Sequence, residues 1–322
     1  MIIEGIDHYR VMEPLFEGIR VMLSYRGERY SPEYVQGISG AAFRIAGICP
    51  CAPTCSSAMA PQDLVRVFGY EVAHIPLSGE GVDPKQRIHE VIKRVKDEIR
   101  SGRPVLVWHA FTNAEWDVVC GFDDVDKQFF GRGSYAGLVV YARAHQMRMI
   151  ECLNISPAMG AIFIGEKKSE FKSTEAELAA LKEAVHHAHT PKVEKPNSRE
   201  WVFLEGLPAY DRWASDFKDP QKLREAGDSY CHSIYRSTHR AAGGFMREIA
   251  SKYVNAFAHF NRAALCFATE VDALDRGEDL LGWDSPEGPD PERNKQAAEL
   301  LREARGWYAR AIDEIEAGLA VI

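Results

Sequence analysis

The chain has 322 residues, of which 46% are hydrophobic and 27% charged, as in ordinary globular proteins and unlike disordered or collagen-like chains. Its length predicts one large or two medium-sized domains. The net charge of −8, without any dense block of Lys or Arg, argues against nucleic acid as a partner, because a phosphate backbone would be repelled. The sequence begins without a basic segment followed by an apolar stretch, and no window approaches the ~18 apolar residues of a membrane span. We therefore expect a cytoplasmic protein with no membrane partner and no cofactor.

Helices are predicted first in the N-terminal half. Apolar residues from Met12 to Leu23 recur at helical spacing, and Gly27 is placed to end that helix. A second helix is marked by Asp83 as N-cap, Pro84 in the first turn and Gly102 beyond its end. Short segments rich in β-branched and aromatic residues follow and predict a mostly antiparallel sheet; they are PVLVWHA, EWDVVCGFD, QFFGRG, MRMIECLNI and AIFIG.

Beyond about Gly165 the pattern is helical. Thr174 and Glu177 have the spacing of a capping box, and KVEKPNSRE (192–200) is typical of an exposed linker. Four amphipathic helices are predicted between residues 210 and 319, and helices of this kind joined by loops predict a bundle. The predicted fold class is α+β, with a sheet-containing domain at 1–168 and an all-α helical bundle at 169–322. The sequence leaves undecided whether the protein forms a homodimer through its helical domain.

Three cysteines lie close together, at Cys49, Cys51 and Cys55. Structural zinc sites usually space their ligands as C-x2-4-C and need four donors. Here the first pair is C-x-C, and a fourth ligand would have to come from His74 or His109. Buried thiols are therefore the simpler interpretation, with a metal or thiol-redox site as the alternative.

A second candidate site is the pair His109 and Glu115. If the strands PVLVWHA and EWDVVCGFD form a hairpin, His109 comes near Glu115. A carboxylate that orients a histidine fixes its tautomer and raises its basicity, which suits a general base. A structural histidine with a satisfied hydrogen bond has the same pattern.

The glycine-rich segment GISGAAF contains Ser39, with Arg44 directly after it. Ser39 is expected either to cap a helix that begins at Gly40 or to hydrogen-bond a bound group. Arg44 offers a positive charge for a carboxylate or phosphate. Ser39 as a nucleophile, with His109 as its base, is a further alternative. Ser39, Arg44, His109 and Glu115 are the predicted ligand-binding residues.

Two stretches of the sequence carry a resemblance to a known family. LFEGIRVMLSYRGERYSPEYVQGISGAAFR (15–44) resembles the opening of the N-terminal domain of butirosin biosynthesis protein H and its relatives. GRPVLVWHA followed by EWDVVCGFDD is similar to a strand pair which that family shares with papain-like, bacteriocin-processing peptidases. GLPAYDRWASDF and FMREIA are similar to the accessory helical region of such proteins. The resemblance implies a papain-like domain followed by a helical domain.

The residues that perform catalysis in the family differ here. The resemblance implies a Cys nucleophile at the start of the first helix and a His at the opening of the strand, because helix N-terminus and imidazole together activate a thiol. In this sequence Val11–Leu15 contains no cysteine, and the strand opens with Glu115. Gly131 and Arg132 stand where the family has its orienting Asp or Asn, so that residue is missing as well. The chain is therefore not expected to be a standard Cys–His peptidase.

The predicted function follows from these departures. We expect a cytoplasmic, non-proteolytic protein that binds a small molecule or a partner in the former active-site cleft. The alternative is an acyl or amide transferase with a rewired site, of the natural-product type, acting on a small molecule or a carrier-bound acyl group. A metal or thiol-redox site at Cys49, Cys51 and Cys55 is the second alternative. Whether the protein is an enzyme is left open at this point, and no residue is assigned as catalytic.

Overall fold

A computed structural model describes residues 1–46, 59–154, 157–190 and 204–322. The chain divides into two compact units. Unit 1 comprises Met1–Val35 and Ala60–Lys172, and unit 2 comprises Gln36–Met59 and Ser173–Ile322. The second boundary lies close to the predicted one after residue 168. The segment Gln36–Met59 differs from the predicted division, because it groups with the C-terminal helices rather than with the sheet.

Unit 1 contains a six-stranded antiparallel sheet with the strand order β1-β6-β2-β3-β4-β5. The predicted α+β class with an antiparallel sheet is confirmed, and two of the strands, β1 and β5, were not among the predicted segments. The strand bounds are β1 Tyr70–Ile75, β2 Val105–Trp108, β3 Trp116–Asp123, β4 Gln128–Arg132, β5 Ala142–His145 and β6 Ala161–Lys167.

Three α-helices begin in unit 1 and lie wholly within it: α1 (Pro14–Tyr25), α3 (Pro61–Val67) and α4 (Pro84–Arg100). A fourth, α2 (Pro32–Ile38), runs across the division between the units. Helix α1 packs against β2 and β3, and α3 packs against β1. None of the helices in the described residues is long and apolar enough to cross a membrane.

Helix α4 forms where local signals predict it. The side chain of Asp83 accepts a hydrogen bond from the Lys85 N–H, and Pro84 occupies the first turn, where a missing N–H costs nothing. Gly102 follows the helix with a φ of 75°, a left-handed conformation that glycine adopts without strain. The buried face of the helix consists of Ile88, Val91, Ile92, Val95 and Ile99.

One predicted strand is wrong. The segment MRMIECLNI lies almost entirely in a 3-10 helix, Gln146–Asn154. Met149 and Cys152, three residues apart, are both fully buried. In a 3-10 helix side chains three apart fall on one side, so this spacing buries both together, whereas strand alternation would send them to opposite faces.

Within its described residues, unit 2 is built from helices. Helix α10 packs against α5, α6 and α8, and α8 also packs against α7. The helix predicted over Pro291–Leu319 is confirmed with those bounds. The predicted linker 192–200 lies outside the described residues. The helix bounds are α5 Ser173–His189, α6 Leu207–Asp216, α7 Ala226–Ala250, α8 Phe257–Asp275, α9 Glu278–Leu281 and α10 Pro291–Leu319.

Glu177 has a structural role different from the predicted capping box. Its buried carboxylate accepts hydrogen bonds from Lys252 Nζ at 2.9 Å and from Tyr253 Oη at 2.7 Å. The side chain therefore joins α5 to the residues that follow α7. Helix α5 begins at Ser173, so Thr174 lies inside the helix and is not the N-cap residue of the predicted capping box.

Residues 36–46 contribute to the core of unit 2. The Phe43 ring lies 5.9 Å from the rings of both Phe245 and Phe267, and Tyr308 Oη donates to the Phe43 carbonyl oxygen at 2.8 Å. A Cβ atom at Gly37 would lie 2.2 Å from the Phe245 ring, so this backbone approaches α7 too closely for any side chain. The grouping of this segment with the helices thus rests on close packing.

Candidate functional site

Glu13 marks the N-terminus of α1. It is the N-cap residue of the helix, and its carboxylate accepts a hydrogen bond from the Leu15 N–H at 3.3 Å. The residue is only 4% exposed. A carboxylate suits a helix N-terminus, where free N–H groups and the helix dipole favour negative charge, but burial opposes its ionisation.

Glu115 lies directly before β3 and is also 4% exposed. Helix α1 packs against β3, and Tyr9, which precedes the helix, hydrogen-bonds to the carbonyl oxygen of Trp116, the first residue of β3. Burial and the charge of Glu115 raise the pKa of Glu13 to about 8, and the hydrogen bond from Leu15 only partly offsets this rise. Two carboxyl groups from distant parts of the chain therefore interact electrostatically.

Asp117 is the third buried acid of this region. Its carboxylate accepts hydrogen bonds from the N–H groups of Phe111 at 2.6 Å and Thr112 at 3.0 Å, and from Thr112 Oγ1 at 2.5 Å. Burial raises the pKa of Asp117 to about 7, the charge of Glu115 adds to the rise, and the three hydrogen bonds oppose it. We call Glu13, Glu115 and Asp117 the acid cluster.

Tight packing holds the acid cluster in place. Gly133 leaves room for Asp117, because a Cβ atom there would lie 2.1 Å from Asp117 Oδ1. Tyr9 Oη donates to the Trp116 carbonyl oxygen at 2.9 Å, and burial together with the charges of Asp117, Glu17 and Glu115 raises the pKa of Tyr9 well above its usual value. The tyrosine is therefore neutral and serves as a hydrogen-bonding group beside the acids.

Two members of the acid cluster, Glu13 and Asp117, have pKa values raised towards neutral pH. General acid–base catalysis works best when the pKa of the group lies close to the working pH, and the pKa values of Glu13 and Asp117 meet this condition. In the part of the chain that the structure describes, no group of three or more His, Cys, Asp or Glu side chains has the placement of a metal site.

His109 occupies the loop between β2 and β3. Its backbone is left-handed, with a φ of 59°, and its N–H donates to the Glu115 carbonyl oxygen at 2.7 Å. The ring Nδ1 accepts a hydrogen bond from the Ala114 N–H at 2.7 Å, which places the ring proton on Nε2. Burial and the charge of Arg148 lower the pKa of His109. The imidazole is thus a neutral group that orders the loop leading to Glu115.

Ser39 belongs to unit 2 and is buried. Its hydroxyl donates to the Gln36 carbonyl oxygen at 2.8 Å and accepts from the Ala41 N–H at 3.1 Å, directly before a 3-10 turn at Ala41–Phe43. Gly40 is the N-cap residue of that turn, so the Ser39 hydroxyl connects the end of α2 to the turn and is not its N-cap. His109, its proposed base, belongs to unit 1.

Arg44 also belongs to unit 2, where its guanidinium forms a 2.8 Å ion pair with Glu205 Oε2. Glu205 lies 3.5 Å from His187 Nδ1 as well. Burial raises the pKa of Glu205, but His187 and Arg44 outweigh burial and lower it overall. The positive charge that was expected to meet an external carboxylate or phosphate is therefore compensated by a carboxylate of the chain itself.

Cys49, Cys51 and Cys55, the predicted metal or redox residues, lie outside the described residues. The described cysteines Cys120, Cys152 and Cys231 are buried, and Cys266 is half-buried. Burial raises the pKa of Cys120 to about 12, so its thiol is unreactive at neutral pH, as expected from its place on the core face of β3.

Two members of the acid cluster were missed as functional candidates from the sequence. Glu13 stands directly before Pro14 at a predicted helix start, and Asp117 interrupts an otherwise apolar strand. An acidic residue within a strand that is buried on both faces is a signal that could have found Asp117, because burying a charge is costly. For Glu13 the signal was weaker, since acidic residues are common in the first turn of exposed helices.

The fold and this region together define an α+β protein with a buried cluster of carboxyl groups at a helix–sheet junction. No protein-family model matches the sequence, and no curated protein matches it significantly.

Proposed function

We propose that the chain is a non-proteolytic relative of the papain-like proteins of the butirosin biosynthesis protein H type, and that it binds a small molecule at the acid cluster of unit 1. The observation that carries the proposal is that Glu13 and Glu115 are both buried, at the ends of a helix and a strand that belong to packed elements, and that the charge of Glu115 raises the pKa of Glu13. Glu13 stands at the start of the first helix and Glu115 directly before the strand. These are the two positions at which the resemblance implies the Cys nucleophile and its His.

The packing of unit 1 supports this proposal. Helix α1 lies against β2 and β3, and Gly18 allows close approach, since a Cβ atom there would lie 2.5 Å from Leu106 Cδ2. The helix is therefore packed closely on β2, the strand that pairs with β3. A papain-like site needs this same juxtaposition, whichever side chains occupy it.

The side chains at the site argue against proteolysis. A carboxyl group does not replace imidazole as a base for a thiol, and neither Glu13 nor Glu115 is a strong nucleophile. At the position implied for the orienting residue, Arg132 donates hydrogen bonds to the main-chain oxygens of Ile6 and Gly137. This guanidinium carries no acceptor atom and cannot orient a catalytic imidazole.

The chemistry of the acid cluster indicates which ligand groups it accepts. A protonated carboxyl donates a hydrogen bond, an ionised one accepts hydrogen bonds or pairs with a cation, and Glu13 exchanges between these states near its raised pKa. An amine or a hydroxyl group can hydrogen-bond to the carboxyl group in both its protonated and its ionised form. The low exposure of Glu13 and Glu115 favours a small molecule over an extended polypeptide.

A ligand screen with matched variants tests the proposal. Small amines and polyols are screened at pH 7 by the shift they cause in the melting temperature of the wild-type protein. We expect the shift from a true ligand to be lost in Glu13→Gln and Glu115→Gln and kept in Glu80→Gln, which removes an exposed carboxylate from the same unit.

Two outcomes would contradict the proposal. In one, every ligand that stabilises the wild type stabilises Glu13→Gln and Glu115→Gln equally. In the other, an electrophilic acyl probe labels a single thiol or hydroxyl at neutral pH, because a reactive nucleophile identifies a working acyl-transfer enzyme.

A further inference from the structure

A groove with a volume of about 1360 Å³ lies in unit 1, away from the acid cluster. It is bounded by β1, β6, the end of α1 and helix α4. None of the three acids of the acid cluster lines it. The groove is thus a separate feature, and a ligand bound in it is independent of the function proposed for the acid cluster.

The lining of this groove is positively charged, although the whole chain carries a net charge of −8. Five cationic and three carboxylate side chains line it. A local excess of positive charge on an acidic protein concentrates anions at that place. The cationic residues are Arg26, Arg66, Arg94, Arg103 and Lys168, and the carboxylates are Glu71, Glu98 and Glu166.

The three carboxylates are already used by neighbouring cations. Arg103 pairs with Glu98 at 2.5 Å, and Lys168 pairs with Glu166 at 2.9 Å and Glu71 at 3.6 Å. A third cation of the groove, Arg66, pairs with Asp63. Among the residues that the structure describes, Arg26 and Arg94 remain without an ion pair.

Arg26 is fixed in position by the main chain. Its two Nη atoms donate to the carbonyl oxygens of Ile164 and Gly165 on β6, and its guanidinium carbon lies 5.1 Å from the centre of the Tyr70 ring. Burial lowers the pKa of Arg26, Tyr70 and Glu98 oppose this, and Arg103 adds to it. A guanidinium with five N–H donors retains donors beyond these two bonds.

Arg94 is anchored to the same strand. Its guanidinium carbon lies over the Phe163 ring, 4.4 Å from the ring centre. A cation–π contact uses no N–H donor of the guanidinium, so the donors stay available for a ligand. Arg26 and Arg94 are thus held by three consecutive residues of β6, Phe163 to Gly165.

We propose that this groove binds a small organic anion, and that Arg26 and Arg94 hold its phosphate or carboxylate group. Arginine suits this role because its fork of donors matches the oxygens of both groups. The volume of the groove exceeds what a bare inorganic ion needs and leaves room for an organic remainder of the ligand.

Calorimetric titration with two probes tests the proposal and separates the two anion classes. Inorganic pyrophosphate represents phosphates and citrate represents carboxylates, each at millimolar concentration and at matched ionic strength. We expect at least one of them to bind the wild-type protein, and Arg94→Gln to weaken that binding by roughly tenfold or more, as for the loss of one charge-assisted hydrogen bond. Arg94 is exposed, so this variant is expected to fold.

Lys93→Gln is the matched control, because Lys93 is the exposed neighbour of Arg94 on α4, does not line the groove and has the same charge. It should bind the probe as the wild type does. The proposal is overturned if neither probe binds, or if Lys93→Gln weakens binding as much as Arg94→Gln. The second result would show that only the general charge of the surface attracts the anion.

Discussion

A buried carboxyl group such as that of Glu13 links a single residue to the stability of the whole chain. Water stabilises a charged carboxylate far better than a packed interior does, so the folded state favours the protonated form. Glu13 and Asp117 both have raised pKa values for this reason, and Glu115 contributes to both. By contrast, Glu205 pairs with Arg44 and His187, and its pKa is lowered overall although burial raises it. The sign of the shift depends on whether neighbouring cations outweigh burial, as they do at Glu205 and do not at Glu17 beside Arg20.

Replacing Glu13 by Gln should weaken the dependence of stability on pH. The pKa of Glu13 is about 8 in the folded state and near 4.5 in the unfolded state, so the folded state retains a proton that the unfolded state has lost. The stabilisation is complete below pH 4.5 and is lost as the pH rises to about 8. Within this window, Glu13→Gln should gain roughly 1.4 kcal/mol per pH unit relative to the wild type.

Urea unfolding followed by circular dichroism at a series of pH values from 5 to 8 measures this difference. Glu80→Gln, in which an exposed carboxylate is removed, should retain the wild-type dependence. Parallel pH profiles for Glu13→Gln and the wild type would show that Glu13 is ionised in the folded state throughout this range.

At the scale of elements, glycines show where two surfaces meet closely. Gly18 lies on the face of α1 that packs against the sheet, and Leu106 of β2 and Tyr9 occupy the space that its side chain would need. Gly306 lies in α10, and nothing is within 4 Å of its missing Cβ atom. Both residues cost helix propensity, but only Gly18 gains contact with a neighbouring element.

The two glycine-to-alanine variants should therefore change stability in opposite directions. Gly18→Ala places a Cβ atom 2.5 Å from Leu106 Cδ2 and 2.7 Å from Tyr9 Oη, and should lower the free energy of unfolding by about 1–3 kcal/mol. Gly306→Ala should raise it by about 1 kcal/mol through helix propensity alone. Chemical denaturation measures both values. An equal gain in the two variants would mean that α1 is not tightly packed on β2.

At the scale of the whole molecule, the core of unit 2 combines residues 36–46 with the C-terminal helices, which are far from them in the sequence. The buried ring of His239 illustrates this, because its Nε2 lies 2.9 Å from the Arg44 carbonyl oxygen and its Nδ1 lies 2.7 Å from Glu270 Oε1. Burial lowers the pKa of His239, but Glu270 outweighs it and raises the pKa overall, as expected when both ring nitrogens face acceptors. Without residues 36–46, one of these acceptors is missing.

The fragment 173–322, which contains the C-terminal helices alone, should therefore be less stable than unit 2 in the intact chain. Removing residues 36–46 exposes the surfaces that contact Phe43 and leaves the Tyr308 hydroxyl without the Phe43 carbonyl. Thermal unfolding by circular dichroism should show a lower and broader transition. A matched variant in which residues 36–59 are joined by a flexible linker to 173–322 should regain a sharp transition. Identical transitions in the two fragments would show that residues 36–59 do not stabilise this core.

Local elements could be predicted where a few neighbouring residues determine them. The bounds of α10 and the caps of α4 follow from Pro, Asp and Gly at set positions together with one apolar face. The 3-10 helix Gln146–Asn154 was missed because a short run of apolar residues has no periodicity long enough to separate it from a strand. The strands β1 and β5 were missed because exposed and half-buried positions interrupt their apolar pattern.

The sequence by itself determined the α+β class, the positions of the long helices and the strand pair β2–β3, since hydrophobic periodicity and capping act over a few residues. Only the tertiary structure decided that Glu13 and Glu115 interact across the N-terminal half of the chain, that Arg44 meets Glu205, and that residues 36–46 join the C-terminal helices. These contacts depend on how whole elements pack, because the pKa of a carboxyl and the partner of a guanidinium are set by neighbours that sequence distance does not reveal.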